Sequence, residues 1–245
     1  MHPSRATNQN VGRADARTVE VRLTCQPAYT LAYCFLAAGE SVLAESGAMA
    51  AMSAGVSVGA GVGPGGLVKA VARKQLGGES FFMARYTGEV HGAWVAFAPR
   101  FPGDIAQHHI STDTALLVQS GSLLAVSPDL DVDVKWAGMK AIALHEGSTI
   151  LKVSGEGEAL LAAYGGFQRF DLGDGEQMVV DSGHLVAFGA NIEYHVGPLG
   201  GLRVAAMSGE GLVAKLVGPG PVYIQTRAEQ GLVNWMNPKR SQNSG

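Results

Sequence analysis

The chain has 245 residues, of which 47% are apolar and 16% charged, and its formal net charge is −3. This length and composition allow one domain with a large core, since β barrels and sandwiches of this size often form single domains. A slightly acidic chain has no global positive field, so nonspecific binding to nucleic acid or anionic lipid is disfavoured. The 34 glycines among Val, Leu and Ala predict many short strands joined by glycine turns.

Residues 1–17 are predicted to be a disordered leader, residues 18–238 a single domain and residues 239–245 a polar tail. The leader carries Arg5, Arg13 and Arg17, but it forms no clear amphipathic helix and lacks the apolar run of a secretion signal. We therefore expect a cytoplasmic protein of bacterial type, and a mitochondrial one only if the leader is a presequence.

The two cysteines, Cys25 and Cys34, are predicted to be buried, reduced thiols. They lie in apolar, strand-like segments and lack the Cys-x-x-Cys spacing of a metal site. Free buried thiols suit a reducing compartment.

One pattern occurs three times: an apolar run, an acid or amide, Ser, Gly and a second apolar run. The copies are 41–50, 116–125 and 178–187, with turn glycines Gly47, Gly121 and Gly183. Self-similarity of this kind predicts three tandem β modules, of about 18–100, 101–170 and 171–238. We expect each turn glycine to adopt positive φ. The alternative is a chance likeness, because any β protein has apolar strands around glycine turns.

A second element follows each turn, in which a Gly-Glu pair precedes an apolar strand. The pairs are Gly78-Glu79, Gly157-Glu158 and Gly209-Glu210. Because these glutamates follow the repeat, we interpret them as one structural position rather than as general acids. The serines of the three turns, Ser46, Ser120 and Ser182, also follow the repeat and lack the Gly-x-Ser-x-Gly pattern of a nucleophile.

Residues 64–76 are predicted to form the one short helix, with apolar and basic residues at helical spacing. Residues 46–68 contain no charged side chain, but their seven glycines and Pro64 argue against a membrane span. The glycine loop 59–66 lacks the Gly-Lys-Ser/Thr ending of a phosphate-binding loop.

The histidines do not predict a metal centre. No His-x-His pair occurs, and the adjacent His108 and His109 would point to opposite faces of a strand. We therefore predict no catalytic residue, no metal and no cofactor. One alternative is a cupin-like small-molecule binding protein or enzyme, in which His184 and His195 approach across a hairpin. A further alternative is an RNA-binding module that uses a basic cluster, Lys69, Arg73, Lys74 and Arg85.

Five segments carry a resemblance to a known family over roughly residues 20–238: 69–82, 98–105, 180–188, 209–212 and 218–227, together with Trp235 and Pro238. They resemble the altered-inheritance-of-mitochondria family, member twenty-four. The resemblance implies an all-β fold of three fused modules like that of the tryptophan RNA-binding attenuation protein (TRAP), in a compact, self-associating pseudo-threefold sandwich or prism. It implies no catalytic residue, and it transfers neither tryptophan nor RNA binding.

These observations predict a non-enzymatic, self-associating β scaffold or binding protein, connected through the family with membrane, organelle or cell-envelope organisation. A homo-oligomer with an unknown protein partner is expected, whereas nucleic acid and an integral membrane segment are disfavoured. The predicted structural signature comprises Gly47, Gly121, Gly183, Gly78, Glu79, Gly209, Glu210, Gly218, Pro219, Gly220, Gln225, Thr226 and Arg227.

Overall fold

Strands form most of the computed structural model, which describes residues 19–61, 83–135, 150–199 and 212–236. β1 (Glu20–Thr24) precedes three sets of six strands. The first set is β2 (Leu31–Leu36), β3 (Ser41–Glu45), β4 (Met49–Met52), β5 (Val56–Ala60), β6 (Met83–Gly88) and β7 (Ala93–Phe97). The second is β8 (Ile105–Ile110), β9 (Leu116–Gln119), β10 (Leu123–Val126), β11 (Asp131–Lys135), β12 (Ile150–Ser154) and β13 (Gly157–Ala162). The third is β14 (Phe167–Leu172), β15 (Gln177–Asp181), β16 (Leu185–Gly189), β17 (Glu193–Pro198), β18 (Leu212–Val217) and β19 (Gly220–Gln225).

Short helical segments accompany the strands. Single turns of 3-10 helix, Ser120–Ser122 and Ser182–His184, connect β9 to β10 and β15 to β16. One α-helix, α1 (Glu229–Met236), follows β19 within the described ranges. In those ranges, no helix has the length and apolar composition that crossing a membrane requires.

All three sets share one pattern of antiparallel pairing. In each set the sixth strand lies between the first and the third. The fifth strand lies between the second and the fourth. Each set is therefore a small sandwich of two three-stranded layers, which we call modules 1, 2 and 3.

Neighbouring modules are joined by continuous sheets. β3 of module 1 pairs with β10 of module 2, and β9 of module 2 pairs with β16 of module 3. Four sheets result, in the orders β1-β2-β7-β4 (sheet I), β5-β6-β3-β10-β13-β8 (sheet II), β11-β12-β9-β16-β19-β14 (sheet III) and β15-β18-β17 (sheet IV). Sheets II and III each contain strands from two modules, whereas sheets I and IV each belong to one module.

Three clusters of buried residues lie between successive sheets. The first includes Phe97 of sheet I and Tyr86 of sheet II, whose rings meet edge to face with centroids 5.2 Å apart. The second joins sheets II and III, and the third joins sheets III and IV around Phe188 and Leu216. The sheets are therefore stacked in the order I, II, III, IV.

Modules 1 and 2 are linked beside a close approach of two backbones in module 2. A Cβ atom on Gly103 would overlap the carbonyl oxygen of Ala163. The carboxylate of the neighbouring Asp104 accepts a hydrogen bond from the Thr30 hydroxyl at 2.6 Å. The backbone N–H of Asp104 donates to the Gly165 carbonyl at 2.9 Å. The starts of β2 and β8 and the end of β13 are thereby held together.

The all-β class predicted from the sequence is confirmed. Module 3 begins with β14 at Phe167, slightly before the expected position of 171. The expected helix at 64–76, the leader and the polar tail lie outside the described residues. Helix α1, by contrast, was not expected from the sequence.

Candidate functional site

The three Ser–Gly turns occupy one structural position, between the second and third strands of each module. Gly47 adopts φ of +91° as expected, but the expectation of positive φ is wrong for Gly121 and Gly183, which lie in 3-10 turns. The Asp181 carboxylate accepts a hydrogen bond from the Gly183 N–H at 2.8 Å. The preceding serines differ in burial, since two are buried and one is exposed: Ser120, Ser182 and Ser46. These positions serve turn geometry.

The three Gly-Glu pairs do not precede equivalent strands, which corrects the interpretation drawn from the repeat. Gly157 and Glu158 begin β13, a sixth strand, whereas the other two pairs precede β6 and β18, which are fifth strands. Glu158 lies 2.8 Å from the Nδ1 atom of His109 and accepts a hydrogen bond from Gln107 at 3.1 Å. The other members of the pairs lie outside the described residues: Gly78, Glu79, Gly209 and Glu210.

The turn between β18 and β19 has glycine at two positions that no other residue would suit. A Cβ atom on Gly218 would overlap the carbonyl oxygen of Gly173, and Gly220 adopts φ of +146°. Pro219 lies between them. The signature residues Gly218 and Gly220 therefore fix the backbone of the turn that leads into β19.

The end of β19 is anchored by Gln225, whose side chain is buried. Its Oε1 atom accepts from the Tyr164 N–H at 2.8 Å, and its Nε2 atom donates to the Gly183 carbonyl at 2.9 Å. Thr226 accepts from the Gly166 N–H at 2.8 Å, and the Arg227 N–H donates to Tyr164 at 3.2 Å. The signature residues of this segment thus hold module 3 onto the end of module 2.

His184 lies in the 3-10 turn before β16, whereas His195 lies on β17 of sheet IV. His184 Nδ1 is 2.8 Å from the backbone oxygen of Gln225, whereas His195 is exposed on β17, opposite Lys215. Among the described residues, no group of three or more His, Cys, Asp or Glu side chains converges as a metal site.

The cysteines differ from each other in burial. Cys34 is buried in the core of module 1, and this burial raises the pKa of its thiol to about 12. Cys25 is exposed with φ of +58°, so the expectation that both thiols are buried is wrong for Cys25. Both cysteines are free.

The basic cluster considered for RNA binding is described only at Arg85, on β6. The neighbouring Tyr86 is buried against Phe97, so its ring is not an exposed platform for base stacking. The other members, Lys69, Arg73 and Lys74, lie outside the described residues.

A polar cluster that no sequence motif marks joins modules 2 and 3. Nδ1 of His108, on β8, lies 2.6 Å from Oη of Tyr223, on β19. The Arg169 guanidinium, on β14, is 5.6 Å from the centroid of the Tyr223 ring. It also donates to both carboxylate oxygens of Asp171, at 2.7 Å and 3.2 Å. Because β8 lies in sheet II and β19 in sheet III, the cluster bridges the two six-stranded sheets.

The electrostatics of this cluster keep His108 and Tyr223 neutral at neutral pH. Burial lowers the pKa of His108 to about 4, and the positive charge of Arg169 acts in the same direction. Burial also raises the pKa of Tyr223. A general base works best with a pKa near the operating pH. The His108–Tyr223 contact is therefore suited to a structural hydrogen bond.

The sequence signal for this cluster is a departure from the repeat. When the three modules are aligned by their strand ladders, His108 of module 2 corresponds to Cys34 of module 1 and Phe170 of module 3. In the same alignment, Tyr223 of module 3 corresponds to Ala96 of module 1 and Leu160 of module 2. One position on the first strand of a module and one on the sixth strand thus carry a polar side chain in place of an apolar one. This replacement could be recognised only once the strand register was known.

Comparison with known proteins identifies related sequences and a related fold. A sequence model of the family described as mitochondrial biogenesis AIM24 matches residues 21–227. An uncharacterised protein of Streptococcus pyogenes serotype M6 is 27% identical over 195 residues, which cover 77% of this chain and 77% of that protein. An X-ray crystal structure of a Streptococcus pyogenes protein, a structural-genomics target, is 23% identical with a TM-score of 0.73, covering 90% of this chain and 99% of that one.

Proposed function

The chain belongs to the mitochondrial biogenesis family AIM24, as its sequence resemblance predicted, and we propose that it is a non-enzymatic, self-associating β scaffold or binding protein. We propose that this scaffold takes part in the organisation of a membrane, organelle or cell envelope, because the family is described as one of mitochondrial biogenesis. One observation carries the proposal: strands that join modules inside the chain are buried, whereas their equivalents at the two ends of the array expose apolar side chains.

The contrast is clearest for the third strand of each module. β10 of module 2 and β16 of module 3 are buried at every residue, whereas β4 of module 1 is exposed at every residue. The second strands differ less, because β3 and β9 are mostly buried, whereas β15 has Gln177 and Val179 exposed and Val180 buried. An unpaired strand edge can accept a further strand. The two ends of this array therefore offer the kind of surface that already joins its modules.

Three described histidines take part in contacts that hold strands together, which also supports a scaffold. His184 binds the backbone of Gln225, and His109 binds Glu158. His108 and Tyr223 bind each other across two sheets. These contacts stabilise the joins between strands and modules.

The oligomeric state of the full chain tests this proposal. We expect light scattering and native mass spectrometry at micromolar concentration to give a mass that is a multiple of the 25.4 kDa chain. A strict monomer would contradict self-association. A stoichiometric bound metal, or turnover abolished by one histidine substitution, would contradict the non-enzymatic part.

A further inference from the structure

We propose that β15 of one chain pairs antiparallel with β4 of a second copy, in the register that joins modules inside the chain. The inference rests on the self-association proposed above and specifies the two surfaces that carry it. Its support comes from the register, backbone shape, burial and charge of the two strands.

The two joints inside the chain have the same register relative to their turn glycines. In the first, Ala44, three residues before Gly47, lies opposite Ala125, four residues after Gly121. In the second, Val118, three residues before Gly121, lies opposite Ala187, which is four residues after Gly183. The next pairs obey the same rule, namely Leu43–Val126 and Leu117–Phe188.

This rule predicts the register of the third joint. Val180 is three residues before Gly183, and Ala51 is four residues after Gly47. Val180 is therefore placed opposite Ala51 of the second copy, and Val179 opposite Met52. A shift by one residue would turn the apolar side chains to the other face, so the register is a specific claim.

β4 already has the backbone irregularity of the strands that are paired. Its ladder with β7 shifts between Met49 and Ala51. The equivalent ladders shift at the corresponding positions, between Leu123 and Ala125 and between Leu185 and Ala187. A bulge bends and re-aims a strand. β4 therefore presents its open edge in the same way as β10 and β16 present theirs to a partner strand.

Met52 and Val179 at the predicted contact are exposed, whereas the side chains at the same positions of the joints inside the chain are buried. Met52 is 37% exposed, whereas Val126 and Phe188 at the same position are each 1% exposed. Val179 is 54% exposed, whereas its equivalents Leu43 and Leu117 are 2% and 7% exposed. Pairing with a second copy would remove this apolar surface from water.

The edges β4 and β15 also carry few of the charges that protect solvent-exposed strands. β4 consists of Met and Ala residues, and the one charge of β15, Asp181, binds the Gly183 N–H. Natural edge strands are usually protected by charged side chains or proline. Of the other described edges, β1, β8, β11, β14 and β17 carry titratable residues, and β5 does not. The composition of β4 and β15 is thus that of covered strands.

A second copy is the partner because the two edges belong to opposite ends of the stack. No ladder in the described part of the chain joins β4 to β15, and the buried clusters join only successive sheets. Pairing would continue β17-β18-β15 of one chain with β4-β7-β2-β1 of the next, in the strand succession of sheets II and III. Such a contact is head-to-tail, because each chain contributes a different edge.

Lysine substitutions at the two edges test the proposal. We expect Met52→Lys and Val179→Lys each to weaken self-association by about tenfold or more, since the paired edge would bury an unpaired ammonium. Both side chains are exposed, so circular dichroism should show folded chains. Val58→Lys, on the edge strand β5 and with a wild-type side chain 52% exposed, is the matched control and should keep the wild-type mass.

Mixing the two variants tests the head-to-tail geometry. The Met52→Lys chain retains an intact β15 and the Val179→Lys chain an intact β4, so the mixture should form a 1:1 dimer and nothing larger. If β4 paired with β4, or β15 with β15, one of the two variants would still self-associate on its own. That result would overturn the proposal.

Disulfide capture tests the register independently. Opposite residues of an antiparallel pair have Cα atoms about 4.5–5.5 Å apart, within the range that a disulfide spans. In a Cys25→Ser background, a Met52→Cys chain mixed with a Val179→Cys chain should give a covalent heterodimer on oxidation. A Met52→Cys chain mixed with a Val58→Cys chain should give none.

Three results would overturn the inference. If the Met52→Lys chain keeps the wild-type mass, or if the mixture of lysine variants stays monomeric, the pairing is wrong even though self-association can stand. A disulfide formed within a single Met52→Cys/Val179→Cys chain at high dilution would show that the edges close on themselves. A wild-type monomer would overturn both this inference and the proposed function.

Discussion

Tyr223 contacts side chains from two sheets and so connects modules 2 and 3 at the level of single residues. Its ring meets those of His108 and Phe167 nearly at right angles, and Arg169 lies over its face. The His108 ring is kept neutral at neutral pH because burial and Arg169 both lower its pKa. Protonation of this ring should therefore oppose folding.

The pH dependence of stability should report on His108. Its pKa falls from an ordinary value of 6.5 to about 4 on folding. Between these values the unfolded chain binds more protons, so stability falls as the pH decreases from 6.5 to 4. Allowing for the partial exposure of the ring, we expect a contribution of about 1–2 kcal/mol.

Urea unfolding at pH 7 and pH 4 measures this contribution. The free energy of unfolding should fall less between pH 7 and pH 4 in a His108→Gln variant than in the wild type, and the difference should equal this contribution. His109→Gln is the matched control, because its neighbouring ring is exposed. Equal losses in the His108→Gln variant and the wild type would show that the ring is not kept neutral by folding.

At the scale of elements, the ends of strands are held by side chains that bind the backbone of other elements. Gln225 at the end of β19 bonds to the turn before β16 and to the segment after β13. Asp104 before β8 performs a similar role for the start of β2. A few polar contacts between elements therefore help to fix the ends of these strands.

Replacing Gln225 by leucine should loosen three elements together. The Tyr164 N–H and the Gly183 carbonyl would each lose a partner, and a buried polar group without a partner costs about 1–3 kcal/mol. We expect Gln225→Leu to lower the free energy of unfolding by roughly 2–4 kcal/mol for these two groups together. Denaturant titration measures this, with the exposed Gln107→Leu as control. A loss below about 0.5 kcal/mol, the range of ordinary surface changes, would contradict the anchoring role.

At the scale of the whole molecule, the described strands form two six-stranded sheets and two smaller ones. In the described ranges sheet IV has three strands, and sheet I has its equivalent three strands plus β1. β4 and Val179 of β15 are exposed although their equivalents in the other modules are buried. Assembly would complete these sheets and so add to the stability of modules 1 and 3.

The melting temperature should therefore depend on protein concentration. A partner that binds the folded chain but not the unfolded chain stabilises it by mass action, so the wild-type melting temperature should rise with concentration. The Met52→Lys chain should show little of this rise. Calorimetry at several concentrations distinguishes the two. A melting temperature independent of concentration in both chains would mean that assembly adds nothing to stability.

The prediction of equivalent elements succeeded at the turns and failed further along each module. The Ser–Gly turns are equivalent because a turn and its flanking strands are adjacent in sequence. The Gly-Glu pairs are not, because the fifth and sixth strands of a module are both short, apolar and antiparallel. Their local sequences cannot say which of the two positions a strand occupies.

Local sequence by itself determined the all-β class, the three turns and the family resemblance, because alternation of side chains and turn residues act over a few neighbouring positions. Only the tertiary structure decided that His108 meets Tyr223, 115 residues away, and that β4 and Val179 of β15 are exposed while their equivalents are buried. The physical reason is that a strand ladder joins residues distant in sequence. An apolar strand has the same local pattern whether its edge is covered or open.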